Sequence, residues 1–213
     1  MKKFVSIIFM AICGIANSQN PSLEQAIKDG LTYMDSAKTI SDMQAVVGRF
    51  ERISFVETSR WEPFYYLAFV QINLSFWEKD GDKKDAILDL AEKNIERALT
   101  LNGDKSELFA LQGFLYQGRI QVSATRGMTY SQKAAEILEK AVEENPENPR
   151  ALFLLAQNIY YTPKMFGGGA KNALPKFQEA KVKFDNEKSQ EGISPKWGAK
   201  SNLRMIETCS KDS

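Results

Sequence analysis

Three segments of the chain repeat one pattern of side-chain sizes, a small residue, a bulky one four positions on and a small one three further: Ala91-Ile95-Ala98, Ala134-Leu138-Ala141 and Ala173-Phe177-Ala180. A degenerate fourth copy reads Val46-Phe50-Ile53. Steps of three and four place all three side chains on one helix face. The small residues let a second helix approach closely, and the bulky one fills the groove between the two. From the last residue of a copy, 15 positions forward reaches another small residue in the next apolar run, Ile53 to Ala68, Ala98 to Gly113 and Ala141 to Ala156. A large residue precedes each of these by four, namely Phe64, Phe109 and Leu152. Like units joined by a constant junction define a repeat protein. Elsewhere the apolar residues keep helical spacing, as in Leu23, Ala26, Ile27, Leu31 and Met34, or Met43, Val46, Val47, Phe50 and Ile53. No segment alternates apolar and polar residues for long, so the expected fold class is all-α.

The pattern resembles the tetratricopeptide repeat, whose first helix carries an aromatic, then Leu-Gly and Tyr, and whose second carries Ala, an aromatic, Ala and Pro. Ala134-x3-Leu138-x2-Ala141-x4-Pro146 is the best second-helix copy, and Gly113-x2-Tyr116 fits the first. The resemblance runs from about Ser41 to Asp185. It implies a single domain over residues 19–213, a right-handed α-solenoid of helical hairpins at about 21–57, 61–102, 105–146 and 148–185. A capping helix at about 195–210, carrying Trp197, Leu203 and Ile206, is expected to close the apolar end of the stack. The chain departs from the family inside each hairpin. The small residues of paired helices lie about 12 apart in a repeat of 34. Here Ala68 to Ala91, Gly113 to Ala134 and Ala156 to Ala173 span 23, 21 and 17. Lengthened inner loops, forming a ridge along one edge, are the expectation.

Met1-Lys2-Lys3, an apolar run from Phe4 to Ala16, and the small residues Ala16 and Ser18 form a secretory signal, with cleavage expected after Ser18. The run is shorter than the roughly 20 apolar residues of a bilayer span, so stable membrane insertion is not expected and the mature chain should be periplasmic or secreted. Ile12 stands before Cys13 where a lipoprotein signal has a small residue. The net charge is +1 and becomes slightly negative without Lys2 and Lys3, which gives no reason to invoke nucleic acid. Cleavage leaves Cys209 as the only thiol, either half-buried by the last helix or free to bridge to another chain.

The chain has no histidine, which removes the usual general base and the common zinc sites. No phosphate-loop pattern occurs, and no cofactor or metal motif replaces it. Asp80-Gly81-Asp82-Lys83-Lys84-Asp85 lacks the spacing of a calcium loop and reads as a solvated connection, with Asp85 capping the helix that follows. Between the helices of the last hairpin, Pro163-Lys164-Met165-Phe166-Gly167-Gly168-Gly169 forms a stop and a turn. A similar Pro-x-x-Phe-Gly-Gly turn occurs in exported tetratricopeptide-like proteins, including the helical component of some TRAP-type transport systems. Pro163, Phe166, Gly167, Gly168 and Gly169 are therefore a candidate binding loop, the alternative being a structural turn with Phe166 tucked against the hairpin.

By the same resemblance, first helices line a concave groove. Matching positions place Tyr65, Phe69 and Asn73 there, then Ala110, Phe114 and Gln117, then Arg150, Phe153, Gln157 and Tyr161. Such a wall suits a peptide or an envelope protein, since Tyr and Phe give contact area at low entropic cost. The alternative occupants are the chain's own loops or terminal helices. Non-catalytic capture of a protein or peptide is the first functional expectation. An accessory of an envelope transport system that binds a small apolar ligand is the second, and an enzyme is the weakest, since no cluster of acids and bases is visible.

Overall fold

Each amphipathic run becomes a helix where a polar side chain turns back on the first free amides. Ser22, Thr39, Asp80, Asp104 and Asn148 do so, each accepting from a backbone N–H two or three residues on. Thr39 and Asp42 form a complete capping box, in which each side chain accepts from the other's backbone amide. The computed structural model describes residues 22–187 and 192–212, so the expected signal peptide lies outside the described residues. The helices are α1 Leu23–Ser36, α2 Ile40–Val56, α3 Glu62–Trp77, α4 Gly81–Thr100, α5 Lys105–Ile120, α6 Gly127–Glu144, α7 Pro149–Tyr161, α8 Ala170–Asn186 and α9 Ala199–Lys211. Short 3-10 turns lie at Ala124–Arg126 and Lys164–Phe166. The chain is all-α, with no strand among the described residues.

Helices that follow one another pack together from α1 to α9, and α3 also touches α5, which touches α7. Helices α1, α3, α5 and α7 thus form one layer, α2, α4, α6 and α8 pack against it, and α9 packs on α8. The repeated size pattern lies at the seam. Ala91, Ile95 and Ala98, Ala134, Leu138 and Ala141, and Ala173, Phe177 and Ala180 are all at most 1% exposed. Close approach is tightest at Gly113, where a Cβ would sit 2.5 Å from Leu138 of α6.

Three expectations need correction. The ridge of long inner loops is absent from the first two hairpins, where only residues 37–39 and 78–80 separate the helices. The extra residues went into helical turns, making α3 16 and α4 20 residues long. Asp80, not Asp85, caps α4. Asp85 lies inside that helix and accepts from Arg119 of α5 and from Arg126, both at 2.8 Å. Finally, the last helix starts at Ala199 and not near Pro195, because Gly198 at φ 109° turns the chain just before it. Residues 192–198 therefore run as an irregular strap, and Trp197 belongs to the strap and not to the helix. Cys209, on the packed side of α9, is fully buried, which leaves no surface thiol for an interchain bridge.

Candidate functional site

The residues just after the junction positions Ala68, Gly113 and Ala156 are Phe69, Phe114 and Gln157, at matching positions on α3, α5 and α7, of which α5 packs against both others. The strap crosses this face. Trp197 lies nearly parallel to Phe69, with centroids 5.0 Å apart at 21°, and to Phe114, at 5.9 Å and 26°. Its indole N–H donates to Tyr65 Oη at 2.9 Å, and Tyr66 O–H donates to the Ile193 carbonyl at 2.9 Å. Tyr65 O–H donates in turn to Glu107 Oε2 at 3.2 Å. Beneath the strap, Arg150 pairs with Glu107 at 2.8 Å and Glu187 at 2.5 Å. Burial pushes the Glu107 carboxyl above the usual carboxylate range, and the facing Arg150 guanidinium pulls it back. Burial likewise raises the Tyr65 phenol, which stays a hydrogen-bond donor.

The open groove expected along the odd helices is therefore closed at one end. Tyr65, Phe69 and Arg150 are buried beneath the strap, Ala110 is buried, and Phe153 packs on Phe177 of α8 with centroids 6.1 Å apart. Tyr65 and Phe69 are core because the chain folds its own aromatic segment onto them, and Phe153 because α8 covers it. Asn73 is spent on its own helix, its side-chain amide donating to the Phe69 carbonyl at 2.8 Å. Gln117 donates across to the Leu154 carbonyl at 2.9 Å and ties α5 to α7.

What stays accessible is a half-buried aromatic ledge. Phe114 lies at its centre, Trp197 on one side, and Phe76 on the other with its centroid 5.3 Å away. Gln157 holds the matching position on α7, and its Oε1 is buried with no hydrogen-bond partner among the described residues. Phe76 was legible, since it lies two helical turns beyond Phe69 on the same stripe. Trp197 was not, because it comes from outside the repeats.

Tyr161 and the glycine loop stand apart from the ledge. Tyr161 is 71% exposed and meets Tyr160 edge to face at 4.9 Å. Pro163 leads into the 3-10 turn, and Gly167 follows at φ 84°. At Gly168 a Cβ would fall 1.8 Å from the Thr162 carbonyl oxygen, so no other residue fits. Gly169 then opens α8 at φ 94°. Phe166 is not tucked against the hairpin but 61% exposed, next to Met165 at 83%.

At the opposite edge a polar cleft of about 330 Å³ is lined by Asp104, Glu107, Asn148, Arg150, Lys183 and Glu187 among others. Its cations are already paired, Arg150 as above and Lys183 with Glu147. Among the described residues no three His, Cys, Asp or Glu side chains gather as a metal site would require. The ledge offers apolar aromatic surface, which suits stacking a planar apolar molecule.

No protein-family model matches the chain, and no curated protein does. Among solved structures the chain is similar to the HusA haemophore from Porphyromonas gingivalis, with a TM-score of 0.81 and 29% sequence identity over 92% of this chain and 96% of that one.

Proposed function

We propose that this chain is an exported, tetratricopeptide-like helical protein that binds a planar apolar molecule of the porphyrin class on the Phe76–Phe114–Trp197 ledge, without catalysing a reaction. The observation that carries the reading is an accessible row of three rings, one pair stacked and one tilted, in a chain that resembles a haemophore over almost its whole length. The small-ligand reading is favoured over peptide capture because the strap occupies the Tyr65–Phe69 end of the face. The remaining ledge is short for an extended peptide or a docked helix.

The mode of holding follows from the side chains on the ledge. A chain without histidine has no imidazole to offer an iron centre, and Cys209 is buried. The ledge rings Phe76, Phe114 and Trp197 carry no atom that ligates iron, so affinity there comes from burying the macrocycle and from stacking, worth about 0.5–1.5 kcal/mol for each aromatic contact beyond area burial. Both act on the ring and not on the metal. Haem and iron-free protoporphyrin IX should therefore bind with affinities within about threefold of each other, under 1 kcal/mol apart. Absorbance titration in the Soret region with each compound tests this. Failure of both to bind, or binding of the iron form alone, would sink the reading.

A further inference from the structure

The edge where α5 and α7 end and α6 and α8 begin has a character of its own. Met165 and Phe166 form its tip, 83% and 61% exposed, with Tyr161 at 71% beside them. Met128, 66% exposed, lies one helical turn before Ser131, whose hydroxyl is 3.3 Å from that of Thr162, so the tip and the start of α6 adjoin. The glycine turn holds Met165 and Phe166 outward by backbone geometry that side chains would block, so the exposure is built in.

Around the turn between α7 and α8 the charge is one-sided, whereas at the α5–α6 end Arg119 and Arg126 are already paired with Asp85 of α4. No acidic residue occurs from Leu108 to Ala135 or from Asn148 to Gln178. Lys164 and Lys171 flank the tip and make no ion pair among the described residues, and Lys133 lies over the Tyr130 ring, 5.2 Å from its centroid. Asp212 of α9 reaches this end but is engaged by Tyr160 O–H at 2.7 Å, next to Lys211. The near-zero net charge of the whole chain hides this local excess.

We propose that this edge docks reversibly on an anionic lipid surface. Met165 and Phe166 enter the boundary between headgroups and acyl chains, Tyr161 and Met128 sit at the rim, and Lys164 and Lys171 meet lipid phosphates. Exposed apolar side chains ringed by lysines suit that boundary, where apolar burial and attraction to anionic headgroups add. No helix among the described residues is long and apolar enough to cross a membrane, so the contact is peripheral. A second exposed pair, Phe55 and Val56 at 85% and 83%, is bordered by Glu51 and Glu57 as well as by arginines and serves as an internal control.

Flotation with vesicles of phosphatidylcholine containing about one third phosphatidylglycerol tests the proposal. The wild-type chain should float with these vesicles, far less with phosphatidylcholine alone, and less as salt is raised. Met165→Ser/Phe166→Ser should lower binding at least about tenfold at unchanged melting temperature, and Lys164→Gln/Lys171→Gln several-fold. Phe55→Ser/Val56→Ser should leave it unchanged. The proposal is overturned by no binding to anionic vesicles, by equal binding to neutral ones, or by equal losses in the two apolar double variants. It is also overturned if the tip variants abolish cross-linking to an envelope protein while vesicle binding persists.

Discussion

Replacing Gly113 with Ala adds one methyl group where α5 meets α6, and its consequence can be worked from the structure. The new Cβ would lie 2.5 Å from both Cγ and Cδ2 of Leu138, about an ångström inside van der Waals contact. Leu138 is fully buried between Ala134 and Ala141, so it cannot swing out to solvent. Overpacking this close, against a side chain that cannot move aside, lies in the upper part of the usual range, about 2–3 kcal/mol. Alanine recovers close to 1 kcal/mol of helix propensity over glycine. The net expectation is a loss of about 1–2 kcal/mol, or a fall of about 2–8 °C in Tm for a chain of this size. Gly127 supplies the control, since it opens α6 with nothing within 4 Å of a built Cβ. Gly127→Ala should be neutral or slightly stabilising. Urea unfolding followed by circular dichroism reads both variants, and Leu138→Val in the Gly113→Ala background should restore part of the loss. A Gly113→Ala variant as stable as the parent would refute the claim that the repeated size pattern sets the approach of paired helices.

Asp85 is pushed up by burial but held, on balance, below its ordinary range by hydrogen bonds from Arg119 and Arg126. A depressed carboxylate contributes stability above its unfolded pKa and loses it as pH falls through the folded value. Asp85→Asn should therefore cost about 1 kcal/mol at neutral pH, with the gap to the parent narrowing below about pH 4 in unfolding curves. A gap constant from pH 7 to pH 3 would contradict the pairing. Burial raises the Cys209 thiol, with Asp212 adding to the effect. Ellman's reagent should modify Cys209 at least about a hundredfold more slowly in the native protein than in guanidinium. Equal rates would show that α9 does not seal the end of the stack.

The all-α fold was legible because it rests on local period and on residue size. Small residues spaced around Ile95, Leu138 and Phe177 record helix approach directly, and Ser22, Thr39, Asp104 and Asn148 sit where capping chemistry places them. The length of the inner connections was not legible, because the 23 positions from Ala68 to Ala91 count the same whether they form loop or added helical turns. The candidate site was half legible. Phe69 and Phe114 share a periodic stripe, but their exposure depends on residues 192–198, distant in sequence and outside any repeat. Tyr65, Phe153 and Arg150 look like groove residues for the same reason they became core. An aromatic or a guanidinium on that stripe serves a ligand or the chain's own strap equally well, and only tertiary packing decides between them.

Nuclear Overhauser contacts between bound protoporphyrin IX and the protein's ring protons test the ledge most directly. The account predicts contacts from macrocycle methyl groups to Phe76, Phe114 and Trp197, with none to Phe55 or Phe166. Contacts confined to Phe166 and Tyr161, or a macrocycle seated on Phe69 with Trp197 displaced, would contradict it.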